Sequence, residues 1–368
     1  MSLASPLTGS IRGLFLYEIA EEVDLDALRK TLKTDPAGRQ PAFRHPAPEY
    51  VRYEKPSAVE NLGSRLISPG INAEARIRYF EYGVASLELR VAFEGDWDQL
   101  VNFAHRWISS AELEQSANAS LRDCLKRTKS ALIKPHDSSL ISEDYYIVQI
   151  DPIDRGDGCY LTADTVLHEC GERIAQIVRG ENVRLSAAEA ADVIRSSLSY
   201  YPTDVLIVGW VAAFIYDKPA EAVPTIDLLE YANSQLLEFR YYDDVLTDVL
   251  ADVYKRLEQS RSFWRRWTLA RQAEALNTIR LDYQELAERT QNAIKFLGDM
   301  YYARAYRLAA SRIGANDYRE LVTEKLNTAR DLYDALVNEF HQGRAFFLEV
   351  VVVVILIIEI VFLFRGKG

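Results

Sequence analysis

An α+β fold that passes into long helices and closes with a membrane-spanning helix is what the sequence predicts, from three observations. A strand-helix-strand-strand-helix rhythm runs twice through residues 1–224, neither Gly nor Pro interrupts the helical composition from Thr225 to Leu297, and an almost uncharged apolar run extends from Ala345 to Phe364. The implied boundaries are residues 1–143 and 144–224 for two α+β halves, 225–344 for the long helices and 345–364 for the span.

The first half reads as the strand IRGLFLYEIA, the helix DLDALRKTL, two strands in ARIRYFEYGVASLELRVAF and the helix DWDQLVNFAHRW. The second reads as the strand EDYYIVQI, the helix DTVLHECGERIAQIV, two strands in SSLSYYPTDVLIVGWVAAFIYD and the helix TIDLLEYANSQLL. Tyr82-Gly83 and Pro202-Thr203-Asp204 supply the turns. Arg39 to Gly63 carries four of the 12 prolines and reads as an insertion, because Pro opposes both helix interiors and central strands. Units of this kind resemble ferredoxin-like halves, with helices on one face of an antiparallel sheet, and predict an internal duplication.

Further along, Leu276, Ile279, Tyr283 and Leu286, then Ala293, Leu297 and Met300, recur at coiled-coil spacing, which predicts self-association into a homo-oligomer. Gly314 ends this arm and Asp317 to Glu320 has capping-box spacing. Val322, Leu326, Ala329, Tyr333, Leu336 and Phe340 continue the period on a second arm, completing a helical hairpin. The terminal AFFLEVVVVVILIIEIVFLF is long enough, at about 1.5 Å per residue, to cross a hydrocarbon core of roughly 30 Å. Only Glu349 and Glu359 interrupt it. Glu349 lies near one interface; Glu359 is either protonated or paired with a neighbouring helix, or sits at the far interface within reach of Arg365. The N-terminus lacks the charged start and apolar core of a signal peptide, so a tail-anchored protein with its bulk in the cytoplasm is expected.

A net charge of −11 opposes broad attraction to phosphate backbones, leaving room only for a small nucleic-acid patch. Cys124, Cys159 and Cys170 form no CxxC pair and read as reduced, buried thiols.

The ending RAFFLEVVVVVILIIEIVFLF, with two glutamates framing an apolar stretch, resembles the C-terminal signature of the family required for meiotic nuclear division, a sporulation-protein-like domain. SYYPTDVLIVGWVAAF and LLEFRYYDDVL are similar to its bacterial branch. The resemblance implies a domain without established catalysis. The best-known member of that family forms a large homo-oligomer on the mitochondrial inner membrane and supports organellar translation. For this chain the resemblance implies a bacterial cytoplasmic membrane, with the mitochondrial inner membrane as the alternative.

Among candidate residues, Asp164, His168 and Glu172 recur every four positions, so one helix face would carry all three, either as weak metal or proton-sharing candidates or as a solvated surface. Asp151, Asp154 and Asp157 look like a calcium loop, but Thr162 stands where the bidentate glutamate belongs, so they read as a polar loop. No GxxxxGK[ST], GxGxxG or GxSxG occurs. In LEFRYYDD, Arg240 and Asp244 have the spacing of a surface ion pair. Arg261, Trp264, Arg265, Arg266 and Trp267 suit an anionic lipid headgroup, RNA or an acidic protein surface, or else a helix corner that buries its tryptophans. The predicted function is a non-enzymatic, membrane-anchored scaffold that oligomerises and recruits a cytoplasmic protein or ribosomal partner, without a cofactor. The alternatives are a hydrolase or metal-dependent enzyme with its site between the α+β halves, and a ribosome- or RNA-contacting membrane tether.

Overall fold

The computed structural model describes residues 6–32, 57–68, 71–108, 110–136, 141–154, 159–259, 281, 284, 300–332 and 352–356. The chain divides into two compact units, one of Met1–Tyr241 with Ala287–Tyr318 and the other of Tyr242–Leu286 with Arg319–Gly368.

Ten strands are described in the first unit: β1 (Leu7–Glu18), β2 (Ala20–Val23), β3 (Ala58–Ser68), β4 (Ile71–Tyr79), β5 (Val84–Gly95), β6 (Leu132–Pro135), β7 (Ser142–Ile150), β8 (Ser197–Leu198), β9 (Val205–Val208) and β10 (Ala212–Tyr216). Eight of them form one sheet in the order β3-β4-β5-β1-β7-β10-β9-β8, while β2 and β6 pair separately. Every neighbour in the large sheet is antiparallel except β7 and β10. The helices are α1 (Leu25–Leu32), α2 (Trp97–Ile108), α3 (Ala111–Thr128), α4 (Ala163–Arg179), α5 (Ala187–Arg195), α6 (Pro219–Gln259) and α7 (Met300–Arg312).

The ferredoxin-like duplication is not what forms. One mixed sheet is shared throughout, β1 lies antiparallel to β5 whereas β7 lies parallel to β10, and helices cover both faces. The reason is visible in β1, whose residues from Ile11 to Glu18 are all buried, so both of its faces need a covering layer. Strand alternation sends Ile11, Phe15 and Tyr17 to one side and Leu14 and Leu16 to the other. On the first side, α2 presents Trp97, Leu100, Val101, Ala104 and Trp107 at helical spacing, joined by Val166, Cys170, Ile174 and Ile177 of α4. On the second side lie Ile226, Leu229, Ala232 and Leu236 of α6 with Tyr302, Ala305, Tyr306 and Ala309 of α7. Each fully buried Leu or Ile contributes about 1.5–3 kcal/mol.

Local signals set the ends. Thr162 caps α4 by accepting the Thr165 N–H at 3.3 Å, and Gly180 ends that helix in the left-handed region, with φ 72°. The stretch DVLIVGWVAAFIY, read as one strand, breaks at Gly209–Val211 into β9 and β10, because Gly209 N–H closes a turn on the Ala212 carbonyl at 2.9 Å. Asp204 accepts the backbone N–H groups of Tyr200 and Tyr201 at 2.7 and 3.1 Å and shapes the turn before β9. Gly314, with φ 85°, is followed directly by helix at 315–332, so the second arm starts ahead of Asp317.

Among the described residues no helix is long and apolar enough to cross a membrane, which overturns the predicted transmembrane helix at 345–364. A span needs about 20 consecutive apolar residues. Within 345–364 only Val352 to Leu356 is described, as helix, and Glu349 and Glu359 lie outside the described residues. The tail anchor and the bacterial or mitochondrial inner-membrane location fall with that helix.

Tyr82-Gly83 does join β4 to β5, and here the backbone demands glycine. Gly83 has φ 94°, its carbonyl accepts the Ile19 N–H at 2.9 Å, and a Cβ on it would lie 1.9 Å from the Ala20 carbonyl oxygen. Gly83→Ala is expected to lower stability by about 1–3 kcal/mol or more, seen as a fall in urea midpoint at unchanged slope. An unaltered midpoint would show that the turn relaxes freely.

Candidate functional site

The α6 side of the sheet carries charge where a core would ordinarily be apolar. Arg12 on β1, Arg76 and Arg78 on β4 and Glu88 on β5 lie on this covered face, and α6 lowers Asp227 and Glu230 onto them. Arg12 Nε meets Glu88 Oε1 at 2.8 Å, and Glu88 also pairs with Arg76, its direct cross-strand neighbour. Glu230, fully buried, receives Arg76 Nη2 at 3.3 Å and Arg78 Nε at 3.0 Å. Asp227 takes Arg78 Nη2 at 2.5 Å. Three guanidinium groups thus face three carboxylates, so each charge is matched within the layer. Burial opposes the charge on Arg76, but Glu230, Glu88 and Asp227 together hold it more firmly protonated than usual.

A second polar group lies on the same side. Glu18 at the end of β1 and Glu238 on α6 are 2% and 3% exposed, so two carboxyl groups are buried in the same part of the layer. His136 Nε2 stands 3.6 Å from Glu18 Oε1, with its ring 5.1 Å from that of Tyr241. Burial pushes the Glu18 carboxyl up to about 8. Nearby, Tyr82 and Ser234 share a hydrogen bond of 2.5 Å, and Tyr306 of α7 donates to Gln235. Chemically, the layer stores charge and a proton between sheet and helix.

The second unit is helical among its described residues. Lys325 Nζ reaches Asp243 Oδ1 at 2.6 Å, the Asp243 carbonyl at 3.2 Å and Thr247 Oγ1 at 2.6 Å, while Leu250 packs on Ala329. The later part of α6 and residues 319–332 therefore run in the same direction. Leu246, Leu250, Val322, Leu326 and Ala329 are buried, whereas Tyr254 and Leu321 are 47% and 46% exposed.

Asp164, His168 and Glu172 are all exposed on α4, Glu172 is paired with Arg184 at 2.8 Å, and no group of three metal-binding side chains occurs among the described residues. Arg261, Trp264, Arg265, Arg266 and Trp267 lie outside the described residues, as do Leu276, Ile279, Tyr283 and Leu286. Arg240 does not pair with Asp244 as its spacing suggests; it reaches across to Glu143 on β7, a partner that sequence separation conceals. Cys124 and Cys170 are buried and free, whereas Cys159 is exposed. Sequence reasoning missed the whole charged layer. Its one local signal was the alternation Glu74, Arg76, Arg78 in β4, which ordinarily marks a solvated face.

A continuous mixed sheet with helices on both faces and a matched charge layer beneath one of them defines a class of α+β domain. The chain belongs to the family described as "Uncharacterized protein MJ0711, N-terminal domain", whose model matches residues 8–222, from β1 into the start of α6. It is 20% identical over 202 residues to the uncharacterized protein MJ0711 of Methanocaldococcus jannaschii, covering 55% of this chain and 62% of that protein. The chain thus spans about three-fifths of the length of that relative. No solved structure matches.

The Glu18 shift fixes a pH dependence. A carboxyl whose folded value is raised from 4.5 to about 8 binds its proton more tightly in the folded chain, so stability is fullest below the unfolded value and declines as pH rises between the two. The urea midpoint should fall from pH 5 to pH 8, and Glu18→Gln should flatten that fall. Parallel pH profiles for the two proteins would remove Glu18 as the cause.

Proposed function

We propose that this protein is a non-enzymatic assembly scaffold, in which the helical unit joins copies of the chain and the α+β unit serves as a preformed platform. The observation that carries the proposal is the exposure of Tyr254 and Leu321 on helices that share a thin apolar core. Helices take most of their stability from packing an apolar face, and a tyrosine and a leucine left in water on such a pair are suited to burial against another helix. The resemblance to the family required for meiotic nuclear division, whose best-known member is homo-oligomeric, points the same way. The paired charges under α6 support the platform role, since removing any one partner of such a buried set costs about 3–5 kcal/mol and the layer is thereby held to one arrangement.

The full chain should elute with a mass that is a multiple of 41.9 kDa by light scattering at micromolar concentration. The double variant Tyr254→Glu with Leu321→Glu should shift toward monomer with little change in melting temperature, because both side chains are half exposed. A wild-type chain that remains monomeric across the concentration range would end this reading.

A further inference from the structure

A cavity of about 270 Å³ opens within the first unit, between the turn that joins β9 to β10 and the last turns of α4, α5 and α7. Its floor is apolar, formed by Val178, Val193 and Val208. Gly209 lets that floor close up, since a Cβ there would lie 2.4 Å from Val178 Cγ1. Trp210, Ser311 and Arg312 stand around it.

Trp210 is out of keeping with its position. It lies in the turn closed by Gly209 N–H on the Ala212 carbonyl, where Gly, Asn or Asp is usual, and it is 57% exposed, whereas Trp97 and Trp107 are buried. Its ring is nonetheless held in place. A Cβ on Gly314 would lie 3.0 Å from Trp210 Cη2 and Cζ3, so the indole rests against the turn that follows α7. A fixed indole face left in water beside an apolar floor is suited to a planar apolar group.

The charge at the cavity is a separate observation. Arg179, which also lines it, is matched by Glu189 at 2.6 Å, so that pair adds no net charge. Arg312, half-buried at the end of α7, has no carboxylate partner among the described residues. Helix C-termini favour cations, which accounts for arginines in these last turns, but each end carries only about half a charge. The ends of α4 and α5 are moreover capped, by Gly180 N–H on the Ile177 carbonyl at 3.1 Å and by Ser196 N–H on the Val193 carbonyl at 3.3 Å. Arg312 therefore offers one full positive charge, and the Ser311 hydroxyl, exposed beside it, offers a further donor.

We propose that this cavity binds a small aromatic monocarboxylate, its carboxylate held by the Arg312 guanidinium and the Ser311 hydroxyl and its ring resting on Trp210 beside the valine floor. The planar fork of a guanidinium matches a carboxylate in both shape and charge. A phosphate dianion would bring a second negative charge toward three helix C-termini with no second unmatched cation to meet it. The volume lies just below the roughly 300–1,000 Å³ common for small-molecule sites, which suits one ring on a short chain.

Calorimetric titration of the full chain with sodium 3-phenylpropionate tests the site, with 3-phenylpropionamide and sodium butyrate as comparisons. Saturable binding of one 3-phenylpropionate per chain is expected, at least about tenfold tighter than either comparison, which is ~1.4 kcal/mol. Arg312→Gln should weaken it by about tenfold and abolish the preference for the acid over the amide. Trp210→Leu should instead abolish the preference for the aromatic acid over butyrate. Arg195→Gln, which removes an exposed charge outside the cavity, should leave both preferences unchanged. A merely structural role for Arg312 or Trp210 would not remove one preference and spare the other. Absence of saturable heat at millimolar 3-phenylpropionate, equal affinity for the amide, or undiminished affinity in Arg312→Gln would each overturn the proposal.

Discussion

The neutralisation of Arg12, Arg76 and Arg78 beneath α6 is the constraint on which the first unit turns. An isolated guanidinium on a covered sheet face is too costly to tolerate, so the helix that covers it must bring carboxylates at the right positions. Asp227 and Glu230, three residues apart on α6, stand on one helical face and reach adjacent arginines on β4, while Glu88 joins β4 to β1 from the strand between them. An apolar layer would accept several sliding positions of the helix. Matched charges accept one.

The two sheet faces consequently differ in kind. The face under α2 and α4 is apolar and held by burial, with tryptophans at both ends of α2. The face under α6 mixes apolar residues near β7 and β10 with a charged region near β4 and β5. The family match covers the sheet and the first of these layers, and ends as α6 begins.

Much of the local structure was legible in the sequence, because local structure has local causes. The spacing of Trp97, Leu100, Val101 and Ala104 specifies α2, and Tyr82-Gly83 specifies the turn before β5. Sheet order was not legible: β1 pairs with β5 and β7, partners chosen by packing between residues far apart in the chain. That Arg76 and Arg78 are covered depends on α6 crossing above them, and Arg240 found Glu143 in place of its helical neighbour Asp244 for the same reason. Trp210 sits in a stretch read as strand and Arg312 at the end of a helical arm, but only the packing of α7 beside β9 puts them at one cavity. The length and apolar character of the terminal run pointed to a span, yet among the described residues no helix is long and apolar enough to cross a membrane.

The position of β1 has a consequence for how the chain acquires its shape. This strand is made before either of its flanking partners, β5 and β7, and the helix that covers its charged side comes later still. Until Ser142–Ile150 and α6 have been made, β1 exposes an unpaired edge together with Leu14 and Leu16. Such a topology makes folding slow relative to a chain of local hairpins and places the aggregation hazard in the interval before the central strand is enclosed.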